Sequence, residues 1–175
     1  MCPNFSFLEF FGKFFSMKDK TPKTNAMRIL EKNGIAYNVK TYEYDEAHLD
    51  AVHIAKNAGL NVEQVFKTIV MINEAKELFV FCLSAQMEIS LKKARELTGS
   101  KSIDLLKLDL LQKYTGYIRG GCSPLGMIHT YPTFLEELAL LSDTIFVSGG
   151  QRGLQVEVKP QDLVTCCNAT VASFT

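Results

Sequence analysis

The segment of residues 116–126, GYIRGGCSPLG, constrains the fold of this chain more than any other stretch. Gly120 and Gly121 can adopt positive φ values and let a ligand or another backbone approach closely. Pro124 fixes its own φ and favours an extended conformation at Ser123. We therefore predict a stiff loop whose free N–H groups can hold an oxygen-rich ligand. A tight hairpin turn without a binding role is the alternative, because glycine marks turns more often than sites.

A second glycine-rich turn, SGGQRG at residues 148–153, follows another strand-like run. Two such loops in one small chain suggest two walls of one pocket, and we predict that arrangement here. A simple hairpin turn at each position is again the alternative.

The charge balance and the cysteine count limit the possible functions. The 175 residues include 19 basic and 19 acidic side chains, which disfavours extensive phosphate binding but allows a local contact with a nucleic-acid end. The five cysteines show no CxxC spacing, so they indicate neither a disulfide framework nor a zinc site. Free thiols favour a reducing, cytoplasmic setting. The three histidines form no ligand pattern, and we expect neither a metal nor a cofactor.

The first 20 residues are predicted to be an aromatic-rich extension to a single domain at residues 21–175. The apolar part of this extension is too short and too interrupted to span a bilayer, and it lacks the pattern of a secretory signal. No stable membrane association is therefore expected. Three interpretations stay open: packing on the domain or on a second copy in a homodimer, an amphipathic surface anchor, or a translation start at Met17.

The rest of the chain mixes strands and helices without a regular βαβα order, which is typical of an α+β domain with a mixed or antiparallel sheet. A first helix is predicted from a cap at Thr21 to a stop at Gly34, and further helices are predicted over 50–58, 91–98, 109–114 and 132–138, with a final helix or turn over 162–172. Strands are predicted over 36–44, 65–72, 78–83, 101–106, 117–119, 144–148 and 154–159. The second and third strands should form a buried hairpin.

Four side chains in this pattern could carry chemistry. Lys67 interrupts an apolar strand, where an ammonium needs a partner or a polar pocket, although snorkelling at the strand end is the simpler interpretation. Tyr42 could donate a hydrogen bond in a cleft or be half-buried packing. Asp162 could simply cap the last helix. Cys122 could be a nucleophile, but no histidine lies close to it in the sequence.

Six segments, in order, resemble the YbaK-type Cys-tRNA(Pro) deacylases, free-standing relatives of the editing domain inserted in bacterial prolyl-tRNA synthetases. The segments are KTNAMRILEKNGI, TYEYDE, VFKTIVM, GYIRGGCSPLG, VSGGQRG and VEVKPQDL. The resemblance covers residues 21–172. It implies an α+β fold with a mixed, partly closed, barrel-like sheet surrounded by helices. It also implies a cytoplasmic hydrolase that deacylates a mischarged aminoacyl-tRNA.

The resemblance assigns roles to individual residues. The family lysine of the VxKT strand falls on Lys67, and the family tyrosine of the T-Y-E segment falls on Tyr42; both are implied to be catalytic. The glycine loop, the SGG turn and the acidic residue of the P-x-D-L segment are implied to bind substrate, and they fall on Gly120, Gly121, Cys122, Ser123, Pro124, Ser148, Gly149, Gly150 and Asp162. Cys122 replaces an aliphatic residue of the well-known bacterial member, which could change the size or polarity of the pocket.

The resemblance also implies a mechanism in which the thiol of the substrate attacks the ester and gives a cyclic thiolactone. Backbone N–H groups of residues 120–123 should stabilise the carbonyl oxygen, by about 3 to 4 kcal/mol per well-aimed donor. We expect both glycines to line the cavity that holds Lys67, with their N–H groups free. The expected partners are tRNA and, by family analogy, prolyl-tRNA synthetase. Two alternatives stay open: deacylation of another small residue such as Ala-tRNA(Pro), and a non-catalytic module that binds a synthetase.

Overall fold

Five α-helices and eight β-strands form the part of the chain that the structure, a computed structural model, describes, residues 23–175. The helices are α1 Asn25–Lys32, α2 Ala51–Ala58, α3 Leu91–Thr98, α4 Leu108–Thr115 and α5 Pro160–Cys167. The strands are β1 Asn38–Thr41, β2 Phe66–Asn73, β3 Leu78–Ser84, β4 Ile103–Leu105, β5 Thr133–Glu136, β6 Ile145–Ser148, β7 Leu154–Val158 and β8 Thr170–Ala172. The predicted extension at residues 1–20 and the predicted cap at Thr21 lie outside the described residues.

The strands form two sheets. The larger sheet has the order β4-β2-β3-β5-β8, in which β2 pairs antiparallel with β3 and β4, while β5 pairs parallel with β3 and β8. The smaller sheet, β1-β7-β6, is antiparallel. A single bridge between Val65 and Phe146 joins the two sheets, and the strands within residues 23–175 do not close into a barrel. The predicted α+β class with a mixed sheet is confirmed. The predicted partial closure into a barrel is limited to this bridge between the two sheets.

Local capping signals set the start of several helices. Thr24, Asp50 and Ser90 each accept a bond from the backbone N–H three residues later, which satisfies a donor that the first turn leaves free. α2 and α3 end at Gly59 and Gly99, which adopt the left-handed conformation that glycine tolerates. The predictions for α2, for α3 and for the β2–β3 hairpin are therefore confirmed. The first helix starts at a Thr24 cap, three residues later than predicted.

Two predicted elements are wrong, and a third is right only in part. Residues 132–138 are not a helix: they contain β5, which pairs with β3 and buries all four side chains, and the start of a 3₁₀ turn. Residues 117–119 lead into a turn instead of a strand, because Gly121 N donates to Ile118 O at 3.0 Å. The final segment divides into α5 and a short strand, β8, which pairs with β5.

The core has three clusters of buried side chains, and the smallest positions the site. α1 and α5 pack on one face of the large sheet, and α3 packs on the other face through Ala94. The third cluster joins Ala55 of α2 to Val65 and Ala85, which flank the β2–β3 hairpin. α2 is thereby held beside the start of β2. Within residues 23–175, each helix falls short of the length and apolar character that a membrane span requires.

Candidate active site

A cavity of about 750 Å³ lies between the start of α2, the first half of β2, the start of α4 and the first glycine loop. Four of the predicted site residues line it: Lys67, Gly120, Cys122 and Ser148. Five polar or charged residues without a predicted role also line it: Asp50, Thr68, Lys107, Arg119 and Gln155. The remaining wall is largely aliphatic. The cavity therefore combines an apolar surface with a few polar groups, as expected of a small-molecule site.

Lys67, the second residue of β2, is partly buried in the cavity wall. Its Nζ donates a hydrogen bond to the carbonyl oxygen of Ala85 at 3.0 Å. Burial lowers the pKa of this ammonium, and the negative charges of Glu88 and Asp50 oppose that effect. An ammonium has three N–H donors, and within residues 23–175 only the bond to Ala85 is made. Lys67 is thus a cation with donors available to a ligand.

The first glycine loop leaves backbone donors unpaired beside the cavity. Gly120 has a φ of 84°, which closes a turn in which Gly121 N donates to Ile118 O. The N–H groups of Gly120, Cys122 and Ser123 find no acceptor in the described part of the chain. Ser123 is fully buried, and its Oγ accepts a bond from Leu125 N at 3.2 Å, which anchors the end of the loop. A rigid loop with free N–H groups can stabilise a developing negative charge.

The two glycine loops contact each other. A Cβ atom on Gly121 would lie only 3.0 Å from the Cα atom of Gln151, so the second loop packs directly on this glycine. Arg152 Nε donates to the carbonyl oxygen of Arg119 at 2.9 Å. Tyr117 supports both loops, since its ring packs against Gly150 while its hydroxyl donates to Leu125 O at 2.6 Å. The spacing of the two loops is therefore fixed by backbone contact and by one buried tyrosine.

Several predicted site residues do not line the cavity: Tyr42, Gly121, Ser123, Pro124, Gly149, Gly150 and Asp162. Most of them shape the loops. Gly121 departs from the expectation, because its N–H is used in the turn with Ile118 and its Cα faces the second loop. Gly149 donates to Leu154 O at 2.9 Å and closes the β6–β7 turn.

Tyr42 and Asp162 lie in two different parts of the fold. Tyr42 follows β1, and its N–H donates to Gly153 O at 3.0 Å. Burial raises the pKa of its hydroxyl, while the neighbouring Gln155 side chain and the backbone of Gly153 oppose the rise. Asp162 lies in the first turn of α5, where Lys159 is the N-cap residue and no side-chain capping bond is made. A carboxylate there suits the positive end of the helix dipole.

Cys122 lines the cavity as a protonated thiol. Burial raises its pKa to about 12, and hydrogen bonding to Thr115 only partly opposes this effect. A nucleophilic cysteine instead needs a lowered pKa. None of the described residues that line the cavity is a histidine. The surroundings of Cys122 therefore argue against covalent catalysis by its thiol.

Gln155 is the main feature that sequence reasoning missed. Its residue is 3% exposed, and its Oε1 is buried without a hydrogen-bond partner in the described residues. The alternating LQVEV pattern predicts a strand with Gln155 on the outer, polar face. In the structure Gln155 is instead part of the cavity wall, and it lies opposite Ser148 in the register of β6 and β7. A glutamine in a central strand was the available signal, but its burial depends on the packing of the two loops.

Cationic side chains collect on the cavity wall. Lys107 and Arg119 are exposed, and Lys67 lies deeper. The acidic residue of the lining, Asp50, is engaged by His53, whose backbone N–H donates to Oδ1 at 3.1 Å and whose Nδ1 lies 2.6 Å from Oδ2. This distribution favours a ligand with negatively charged groups outside the cavity.

Several known proteins match this chain in sequence or in fold. The chain matches the profile of the aminoacyl-tRNA editing domain over residues 45–166. A protein of Enterococcus faecalis (strain ATCC 700802 / V583), assigned as a Cys-tRNA(Pro)/Cys-tRNA(Cys) deacylase and called EbsC, is 38% identical over 159 residues. The match covers 90% of this chain and 97% of EbsC.

Two crystal structures share the fold. The hypothetical protein APE2540 matches with a TM-score of 0.78 and 17% identity, over 86% of this chain and 99% of that protein. A protein assigned as a trans-editing enzyme for prolyl-tRNA synthetase matches with a TM-score of 0.77 and 24% identity, over 89% of this chain and 98% of the other. At these identities, the structural matches support the fold alone.

Proposed function

This chain belongs to the aminoacyl-tRNA editing domain family, and we propose that it is a trans-editing hydrolase that removes cysteine from Cys-tRNA(Pro). One observation carries the proposal: a single cavity is lined by the partly buried ammonium of Lys67 and by the loop whose N–H groups at Gly120, Cys122 and Ser123 are unpaired. The loop N–H groups can stabilise the negative charge that develops on an ester carbonyl oxygen during hydrolysis, and the ammonium can hold the neighbouring ribose or phosphate oxygens. The name of the EbsC relative supports cysteine as the amino acid.

The size of the cavity suits the end of a charged tRNA. Ligand pockets commonly measure roughly 300 to 1,000 Å³, and the observed volume of about 750 Å³ falls in this range. The aminoacyl group and the terminal ribose would occupy the cavity, while the rest of the tRNA stays outside. Lys107 and Arg119 would meet the phosphates there, because both are exposed. A chain of zero net charge should bind tRNA weakly on its own, so we propose that prolyl-tRNA synthetase assists delivery.

The proposed chemistry uses the thiol of the substrate as nucleophile. Its sulfur forms a bond to the ester carbon, the bond from that carbon to the ribose oxygen breaks, and the thiol proton ends on the released ribose hydroxyl. Water then opens the cyclic thiolactone to free cysteine. The loop N–H groups would stabilise the carbonyl oxygen during attack, and Lys67 would hold the ribose or phosphate oxygens in place.

This mechanism fits the absence of an activated base among the described residues of the cavity wall. The thiol of Cys122 is protonated, and no histidine lines the cavity. A pocket alone separates small side chains poorly, by roughly 10- to 200-fold per methylene group. Selection by the nucleophile of the substrate would add discrimination that the pocket does not supply. Cysteine would be cleaved because it attacks itself, whereas alanine of similar size would not.

A deacylation panel tests the proposed function. Purified protein would be incubated with Cys-tRNA(Pro), Cys-tRNA(Cys) and Ala-tRNA(Pro), and loss of the ester would be followed against buffer. We expect rapid cleavage of the cysteinyl esters and slow cleavage of the alanyl ester. Preference for Ala-tRNA(Pro) would identify a different editing activity. No cleavage above the buffer rate, together with binding to a synthetase, would identify a non-catalytic module.

The proposal also includes the organisation of the protein. Residues 21–175 would form the editing domain in the cytoplasm, and residues 1–20 would contribute to homodimer formation. Sedimentation of the full chain and of a variant that begins at Met17 would test this part separately from activity. The same number of subunits per particle in both proteins would exclude a role of the first residues in assembly.

A further inference from the structure

Gln155 carries a buried acceptor that the free protein does not satisfy. The residue is 3% exposed, and its Oε1 has no hydrogen-bond partner in the part of the chain that is described. Buried polar atoms are almost always paired, and leaving one unpaired costs stability. An unpaired acceptor that persists in a cavity wall points to a ligand that supplies the donor.

The fold holds Gln155 in a fixed position relative to the proposed oxyanion loop. It lies in the middle strand of the small sheet, opposite Ser148 on β6 and Lys40 on β1. The turn that precedes its strand packs on Gly121, and Arg152 in that turn donates to Arg119 O. A group that binds Gln155 is therefore positioned relative to the loop N–H groups.

Three other acceptors of the cavity wall already have a partner. Ala85 O accepts from Lys67, Asp50 accepts from His53, and Ser148 Oγ accepts from Gly150 N at 3.3 Å. The end of a cysteinyl-tRNA brings three kinds of donor: the α-ammonium, the thiol and a ribose hydroxyl. The α-ammonium is the charged one, and it costs the most to bury without a partner. It also lies one carbon from the reacting carbonyl, which places its acceptor near the loop donors.

We propose that Gln155 determines specificity for a free amino acid ester, because its side-chain carbonyl accepts a hydrogen bond from the α-ammonium of the aminoacyl group. This inference rests on the proposed function. Esters whose α-nitrogen is acylated, such as peptidyl-tRNA, would lose the charged donor and would be spared.

The test is a cycle of two substrates and matched variants. Cys-tRNA(Pro) is compared with 3-mercaptopropionyl-tRNA(Pro), which keeps the thiol and the ester but lacks the amino group. Gln155→Met removes the acceptor at similar length, and Gln155→Glu retains one. Gln161→Met, at an exposed glutamine of α5, is the control for the same chemical change outside the cavity.

We expect the wild-type protein to prefer the amino substrate by about 10- to 100-fold in kcat/KM, the range for hydrogen bonds to charged groups. Gln155→Met should lose most of this preference, and should leave the 3-mercaptopropionyl rate within about twofold. Gln155→Glu should retain the preference, and Gln161→Met should change nothing. The melting temperature of Gln155→Met should change little, because Oε1 has no partner to lose and the amide gives up only its contact with the Tyr42 hydroxyl.

Two results would overturn the inference. Equal slowing of both substrates by Gln155→Met would show that the side chain only shapes the pocket. A lower melting temperature with an unchanged substrate preference would show a purely structural role. A non-reacting amide analogue of cysteinyl-adenosine, with and without its amino group, separates this inference from the proposed function. If the wild-type protein cleaves no ester but binds the amino form about tenfold more tightly, the activity is refuted and the role of Gln155 is retained.

Discussion

Substitution of Gly121 by alanine tests whether the contact between the two loops sets the catalytic geometry. The new Cβ would lie 3.0 Å from Gln151 Cα and 3.1 Å from the backbone nitrogen of Arg152. Both neighbours are backbone atoms, which cannot rotate away, and ordinary carbon contacts need roughly 3.5 to 4.0 Å. The loops must therefore separate by a few tenths of an ångström. A displacement of about 1 Å in a reacting group can cost roughly a hundredfold in rate, so for this smaller displacement we expect kcat to fall about 3- to 10-fold.

The assay measures single-turnover deacylation of Cys-tRNA(Pro) beside thermal unfolding. Gly121 does not have a positive φ, so the substitution adds crowding without backbone strain. Gly99→Ala is the matched control: this glycine has a φ of 65° and nothing within 4 Å of an added Cβ. We expect the control to lose roughly 1 to 2 kcal/mol of stability and to keep its rate. Full activity of Gly121→Ala at a normal melting temperature would refute the claim that the loop spacing positions the donors.

Four further predictions concern the charges and the thiol. Lys67→Met should abolish most deacylation without lowering the melting temperature. Burial lowers the pKa of Lys67, so below that pKa the charged form destabilises the fold and its removal should cost no stability. A strongly lowered melting temperature would indicate a structural lysine. The same shift means that the wild-type protein should bind a non-reacting analogue more weakly as the pH rises through a value below 10.5, because Lys67 then loses its charge. Cys122→Ser should keep substantial activity, and mass spectrometry should find no acyl adduct on Cys122, whose thiol pKa is about 12. Arg119→Gln and Lys107→Gln should each weaken tRNA binding and reduce the slope of log K against log salt by about 0.7; an unchanged slope would place the phosphates elsewhere.

Local signals in the sequence were sufficient for elements whose stability is largely local. Asp50 and Gly59 delimit α2, and the apolar runs of β2 and β3 predict their hairpin. Residues 133–136 show why other elements were missed. This short segment has weak strand character of its own, and it becomes β5 because it pairs in parallel with β3, a contact across about fifty residues of chain. No local pattern contains that information.

The candidate site likewise combines residues that local motifs predict with residues whose role depends on the packing of distant segments. Lys67, Gly120, Cys122 and Ser148 were predicted from motifs and do line one cavity. The motifs did not distinguish the residues that line the cavity from those that only shape its loops, because residues of both kinds are needed to form the same two loops. Gln155 could not be identified from the alternating pattern of β7, since its burial follows from how the small sheet meets the loops.

The proposed chemistry is notable for how little of it depends on titratable side chains. The donors to the carbonyl oxygen are backbone N–H groups, and the nucleophile belongs to the substrate. Such a site has no general base or nucleophile of its own to tune by pKa, so its rate has to come from position. Position here depends on Gly121 against Gln151 and on Tyr117 between the loops. Substitutions that move these backbones should therefore reduce activity more than changes to the polar side chains at the rim.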